Sequence, residues 1–388
     1  MKLPSGWASI SMDELGEVQA GRQRNPNISE GELRPYLRVA NVQDGWIDFS
    51  DVNEMHFSSR ELPIYELRQG DILLAEGQSL ELVGRPAVYR GELPGCCFQN
   101  TLVRLRPRNH NPEFCYYICY WLFIRGAFRR IAKQTTSIAH LGVSRFAELF
   151  TFAPTLSEQQ KIADILSTWD EALEKLDALI AAKERNYLAT LERLLRAFDT
   201  TQIKVNEVTS ESGPRNRAKI VSRVLSVTNT KGFVLSKDYF DRQVASSDTS
   251  SYKIVRRGEF AYNPSRINVG SIARLDDWNE GLVSPIYVVF ALNNRIEPDY
   301  FYHWLNSHEA RSRIRRSAQG SVRDSVNYDD FGSIRLPLPK RSKQKAISEY
   351  LNIAQRELRL LRDQRAAVDQ QKRGLMQKLL TGKVRVST

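Results

Sequence analysis

The sequence predicts a mixed α+β protein: two duplicated globular α/β domains joined by two long antiparallel coiled-coil helices about a pseudo-twofold axis. Three observations predict this. One is an uninterrupted helical stretch near the middle of the chain, the second is a copy of the same pattern 185 residues downstream, and the third is opposite net charge on the two helical stretches. The expected boundaries are 1–154 and 201–339 for the globular domains, with helices at 155–200 and 340–388.

The first helical stretch, TLSEQQKIADILSTWDEALEKLDALIAAKERNYLATLERLL, runs from Thr155 to Leu195 without Pro or Gly. Its apolar residues Ile162, Leu166, Trp169, Leu173 and Leu176 alternate steps of four and three. That spacing is the seam of a helix packed on another long helix. Ser157 followed by Gln160 suits a capping-box start. At 1.5 Å per residue the helix is roughly 60 Å long, so it needs a partner.

The partner is the second copy. Pro154–Gln159 aligns with Pro339–Gln344, and the seam continues in register through Ile347, Leu351, Ala354, Leu358 and Leu361 to Leu379-Leu380. Upstream, Phe146 pairs with Phe331 and Gln134 with Gln319, while Pro112 pairs with Pro298 at an offset of 186 and Gly70 with Gly258 at 188. Drift of a residue or two is what loop insertions produce. Ser157–Asp199 holds 6 basic and 9 acidic residues, net −3; Arg341–Thr388 holds 12 and 4, net +8. Antiparallel pairing of the two helices accommodates the whole domain that separates them in sequence.

Each globular half reads as short strands followed by a helix. YLRVANV (Tyr36–Val42) and GDILLAEG (Gly70–Gly77) in the first half, GEFAY (Gly258–Tyr262) and SPIYVVFAL (Ser284–Leu292) in the second, have strand-like runs bounded by turn residues. FCYYICYWLFI (Phe114–Ile124) is about half of the ~20 residues a membrane helix needs. It reads as a buried helix, with Asn111 as N-cap and Pro112 at the first position. MKLPSGWASI holds no apolar run, which predicts no signal peptide. Cys96, Cys97, Cys115 and Cys119 form no CxxC pair and are expected as buried, reduced thiols of a cytoplasmic protein.

A net charge of +11 in 388 residues argues for a polyanionic partner. The helices that start at Pro112 and Pro298 share an aromatic first half and a basic second half. Arg125, Arg129 and Arg130 correspond to Arg311, Arg315 and Arg316. A polar stretch follows each: Gln134, Thr135, Thr136 and Ser137 in one copy, Gln319, Ser321 and Arg323 in the other. Such groups suit phosphate contacts and groove insertion, or a solvated face that complements the helix dipole. Four polar loops add Arg22 and Arg24; Gln78, Ser79 and Arg85; Arg215 and Arg217; and Ser265, Arg266 and Asn268. Arg reads guanine bidentately and Asn or Gln reads adenine, though the same composition also fits plain surface.

Catalytic signatures are missing. The sequence has no GxxxxGK[ST] and no GxGxxG, and His56, His110, His140, His303 and His308 show no metal spacing. Asn263-Pro264 continues as Ser265-Arg266, not as the second proline and aromatic residue of an amino-methyltransferase. No catalytic residue, metal site or bound cofactor is therefore expected.

LPSGW followed by LGEV, PTLSEQQKIADIL at the first helix and GLMQKLLTGKVRV at the C-terminus resemble the specificity subunit of type I restriction–modification systems. The second opener, PKRSKQKAISEYL, departs from the acidic-Gln form at Lys343. The resemblance implies two target recognition domains, each reading half of a bipartite, asymmetric double-stranded DNA site. It implies helices that set the gap and dock two modification subunits, which bind S-adenosylmethionine and methylate adenine. It further implies two restriction subunits using ATP and Mg, and no membrane. Two other readings remain at this point: a stand-alone DNA-modifying enzyme, and a helical scaffold that does not read DNA.

Overall fold

The computed structural model of the chain describes residues 3–24, 30–134, 137–196, 201–239, 248–319 and 325–386. It divides into two compact units. One takes the chain up to Lys175 and from Gln364 onward; the other takes Leu176–Asp363. Each combines a globular part with half of each long helix.

Both units are built on the same four-stranded antiparallel sheet. In the first, β1 (Gly16–Ala20), β2 (Ile72–Ala75), β3 (Pro86–Val88) and β4 (Leu102–Pro107) lie in the order β1-β4-β2-β3. Strand β2, ILLA, is buried at every position, so it reads as a continuous apolar run. Helices α1 (Pro112–Ile124) and α2 (Ala127–Ile131) follow, and then the long helix α3 (Leu156–Arg196). In the second unit, β5 (Thr209–Ser212), β6 (Phe260–Tyr262), β7 (Ile272–Arg274) and β8 (Val288–Leu292) repeat that order as β5-β8-β6-β7. Helices α4 (Pro298–Leu305) and α5 (His308–Gln319) and the long helix α6 (Arg341–Leu380) complete it. No helix among the described residues is long and apolar enough to cross a membrane.

The long helices run antiparallel within each unit, because contacts rise along one as they fall along the other. Glu158 meets Arg385 and Asp170 meets Lys372 in the first unit. Lys183 meets Glu357 at 2.7 Å, and Tyr187 takes a hydrogen bond from Gln355 at 3.0 Å, in the second. The seam is buried where a globular core backs it. Ile162 and Leu166 share a cluster with Met376, Leu379 and Leu380, and Ile347, Leu351 and Leu358 share one with Tyr187, Leu191 and Leu195. Leu173 is buried, whereas Trp169, Leu176 and Leu361 are half-buried.

A buried glutamine ties each long helix to its own domain. Gln159 Nε2 donates to the Pro154 carbonyl at 2.9 Å, and its Oε1 accepts from the Asn111 amide at 3.0 Å. Gln344 does the same with the Pro339 carbonyl at 2.8 Å and the Glu297 amide at 2.7 Å. The residue before it explains the departure at Lys343. Glu158 is buried, accepting from Trp7 Nε1 and pairing with Arg385, so the N- and C-terminal motifs close on the start of α3. Lys343 is exposed.

Local expectations fail where side chains compete for the backbone. Thr155 caps α3: its carbonyl takes the Gln159 amide and its hydroxyl faces the Glu158 amide, so Ser157 lies inside the helix. The strand in YLRVANV stops at Leu37 because buried Asn41 bonds the Arg38 amide and the Asp48 and Asp51 carbonyls, which folds the rest into turns. Each aromatic-to-basic helix is two helices. The first breaks at Gly126, with φ of 68°; the second breaks at Ser307, whose hydroxyl caps the Ala310 amide. Asn111 caps α1 as expected, accepting the Phe114 amide at 2.9 Å. All four cysteines are free and buried, and burial pushes the thiols of Cys96 and Cys97 up to about 12.

Candidate nucleic-acid interface

Topology turns two of the four candidate loops into equivalents. Residues 76–85 connect β2 to β3, and residues 263–271 connect β6 to β7, the same hairpin of the same sheet. Beside each loop the chain enters the neighbouring strand, through Gln99–Thr101 before β4 and through Ser284–Tyr287 before β8. The ladder pairs Ala75↔Leu102 and Tyr262↔Val288 place these segments at the same end of each sheet. Gln78 and Ser79 in one unit, and Ser265, Arg266 and Asn268 in the other, therefore occupy corresponding positions.

The segment after each basic helix returns to this hairpin. In the first unit Gly77–Gln78 pairs with Ala139–His140, which pairs with Lys133–Gln134. Exposed Ser137 sits in the turn between those last two strands. In the second unit the Val326 amide donates to the Pro264 carbonyl at 3.1 Å. Thr135, Thr136, Ser321 and Arg323 lie outside the described residues, as does the side chain of Gln319.

The helical arginines divide by position. Arg125 ends α1 with its guanidinium 4.4 Å from the Trp121 ring centroid, while Arg129 and Arg130 lie exposed on α2. Arg311, Arg315 and Arg316 all lie exposed on α5, where Arg311 Nη2 donates to Asn306 Oδ1 at 3.0 Å. Exposed guanidiniums within one or two turns form a surface suited to phosphate oxygens.

Three other arginines bond groups of their own unit. Arg22 is 5% exposed: its Nε bonds Glu61 at 2.6 Å and its guanidinium lies over Phe57. Its backbone holds the segment before β4, accepting the Asn100 amide at 3.0 Å. Arg85 is half-buried and donates to the Val42 carbonyl, and burial lowers its pKa. Arg215 bonds the Ser251 carbonyl. The first two are turned inward and brace the loop end. Arg24 and Arg217 are exposed.

Sequence reasoning missed three exposed residues at these loop ends. SPIY reads as strand in the sequence, yet the Tyr287 amide bonds the Ser284 carbonyl at 3.0 Å and closes a turn with Ile286 at its tip, 62% exposed. Val269 is 60% exposed on the neighbouring loop, and Asn100 is exposed at the position matching Ile286. A proline in front of an aliphatic, at the head of an apolar run, was the available signal. Among the described residues, no group of three or more His, Cys, Asp or Glu gathers as a metal site.

The chain is similar to known proteins in sequence and in fold. Residues 4–183 match the family model of the type I restriction modification DNA specificity domain. The chain is 24% identical over 414 residues to a protein of Methanocaldococcus jannaschii provisionally described as the MjaX specificity subunit of a type I restriction enzyme. That match spans 100% of this chain and 96% of the relative. It is 20% identical to the type I restriction enzyme MjaVIII specificity subunit of the same organism, spanning 100% and 95%. The fold is shared with the S subunit of a type I restriction-modification system from M. genitalium, with a TM-score of 0.58 at 17% identity over 98% of each chain. It is shared also with a chain from a structure on complex assembly and conformational transition of the type I R-M system. There the TM-score is 0.61 at 16% identity, over 99% of this chain and 100% of that one.

Proposed function

We propose, for a chain that belongs to the type I restriction–modification specificity family through its domain at residues 4–183, that it is the DNA-reading subunit of such a complex. Each globular domain reads one half of a bipartite, asymmetric double-stranded site. The observation that supports this best is the repetition of one sheet, one hairpin loop and one basic helix end in both units, with different side chains at the loop ends. One scaffold carrying two sets of contact residues is what an asymmetric site requires, since phosphate contacts position a protein and base-edge contacts specify the sequence.

The chain itself performs no chemistry in this reading; methyl transfer belongs to two modification subunits that hold S-adenosylmethionine. Two restriction subunits using ATP and Mg complete the assembly. Docking of a modification subunit on the long helices is supported in the second unit by Tyr350, Ile353 and Leu360, which lie exposed on α6 at spacings of three and seven. Beside Tyr350 lies a groove of about 310 Å³, lined by Thr190, Leu194, Ala346 and Ile347 with Arg193 and Lys343. The long helices set the gap between half-sites.

Methylome sequencing of cells with and without this chain tests the reading. The expected result is a bipartite adenine-methylation motif that disappears with the chain. Loss of the chain without any change in methylation, or methylation by the purified chain alone, would overturn it.

A further inference from the structure

We propose that Arg266, Val269 and Ile286 set the base preference of the half-site read by the Leu176–Asp363 unit, Arg266 toward guanine and the two aliphatics toward thymine methyl groups. This rests on the DNA-reading function proposed above and adds which residues choose the bases.

The three side chains sit on a rigid frame. The Asn263 amide bonds the Ser271 carbonyl and the Ser271 amide bonds the Arg266 carbonyl, closing the loop at its stem. Asn263 Oδ1 takes the Ser265 amide at 3.1 Å, and Ser271 Oγ donates to the Val227 carbonyl at 2.8 Å. Gly270, with φ of 96°, turns the chain back behind Val269. The adjacent turn sits beside this loop, since Tyr262 pairs with Val288 at the head of both and Tyr287 is buried. Arg266, Val269 and Ile286 therefore project from two neighbouring loops, each closed by its own backbone hydrogen bond, which limits the ordering left to do on binding.

Among the described residues, neither a core cluster nor an ion pair accounts for these side chains. A β-branched aliphatic at the tip of a turn has neither the backbone preference nor the burial that justifies it elsewhere. Val269 and Ile286 are exposed by 60% and 62%, and neither belongs to a core cluster. Among the described residues, Arg266 has no carboxylate partner, unlike Arg22, which is spent on Glu61. An exposed guanidinium and exposed aliphatics on neighbouring loops match the major-groove edges of guanine and thymine, whose distinguishing features are the O6/N7 acceptors and the C5 methyl.

The matching positions in the first unit carry different chemistry. There Gln78 lies on the loop equivalent to that of Arg266, and exposed Asn100 matches Ile286, both amides suited to adenine. The first unit is therefore the internal control.

The test is selection from a randomised duplex library by the full chain bound to its modification subunit, with the parent chain and the variants Arg266→Gln, Ile286→Ser and Val269→Ser run in parallel. The parent should select two half-sites. Arg266→Gln should lower preference for guanine in one half-site by about 5- to 150-fold, and the serine variants should lower preference for thymine in that same half-site. The other half-site should stay unchanged. Ile286→Val should retain the parental motif, and circular dichroism verifies that each variant is folded. Unchanged motifs in all folded variants, or equal changes in both half-sites, would overturn the proposal. If the parent itself selects no motif, the DNA-reading function fails first and takes the proposal with it.

Discussion

Where each unit clamps its domain helix between the two long helices, four residues meet, and the two sets are built from different chemistry. In the first unit Tyr117 of α1 donates to Asp170 Oδ2 at 2.7 Å and lies 3.3 Å from Ser167 Oγ. Lys372, only 6% exposed, pairs with Asp170 and lies over the Tyr117 and Tyr120 rings. At the corresponding offsets the second unit places His303, Asn352, Gln355 and Tyr187. There Gln355 Nε2 donates to the Tyr187 hydroxyl, and that hydroxyl lies 2.8 Å from His303 Nδ1. His303 Nε2 lies 2.9 Å from Asn352 Oδ1, Asn352 donates to Asp299 at 2.7 Å, and Arg274 closes the chain on Asp299. Donor matches acceptor at every step when the imidazole is neutral with its proton on Nε2.

One clamp uses an ion pair half open to solvent; the other uses a buried, directed network. The difference teaches that duplication preserved the position of the clamp and not its chemistry. Lys372 fits only a site with Asp170, and Tyr187 fits only a site with His303 and Gln355. Each helix half is thereby matched to one partner, in the way a single buried polar residue fixes register in coiled coils.

Tyr187→Lys should break this comparison most severely. It sets an ammonium against buried His303 and Gln355, with an expected loss of about 3 kcal/mol or more. Adding Gln355→Asp rebuilds the first unit's pair in the second and should recover about half of that loss. Urea unfolding midpoints measure both, and no recovery would mean that the two clamps are not equivalent. Asp170→Asn should cost less, about 1–2 kcal/mol by the same measurement, because Asp170 is 44% exposed and its pair is partly screened.

Acid should separate the units. Burial holds the His303 pKa below its ordinary 6.5, so the unfolded chain binds a proton that the folded chain refuses. Stability from this group is complete above pH 6.5 and falls as pH drops below it. Asp299 faces the histidine from α4 and Arg274 lies beyond it. The pH dependence of unfolding should therefore shrink in His303→Gln, while Tyr117→Phe in the other clamp leaves it in place. Smallest is the effect expected of Arg315→Ala on α5. Binding should weaken alike on all sequences, and the salt slope should fall by about one unit in titrations from low to moderate salt.

Long-range pattern was legible in the sequence and local detail was less so. The seam positions Ile162, Leu166, Ile347 and Leu351 are buried because a heptad repeat over forty residues has one geometric solution. Asn111 caps α1 because the Asn-Pro pair satisfies a free amide and presets the backbone. Thr155 displaced Ser157 as the cap because two capping-type residues stood two positions apart, and composition does not choose between them. Within the candidate interface, Ser265, Arg266 and Arg315 are exposed as expected, whereas Arg22 and Arg85 turned inward. A polar loop reads the same whether its arginine faces solvent or braces a carbonyl.

By itself the sequence determined the duplication, the two long helices, their antiparallel pairing and the basic character of the chain, since periodicity, repeat offset and charge are properties of the string. Tertiary structure alone decided which loops share an end of a sheet, which arginines stay exposed, and that His303 closes a hydrogen-bonded chain from Gln355 to Arg274. Those outcomes depend on residues far apart in the chain meeting at hydrogen-bonding distance, and burial fixes each side chain's partner only after the backbone has closed around it.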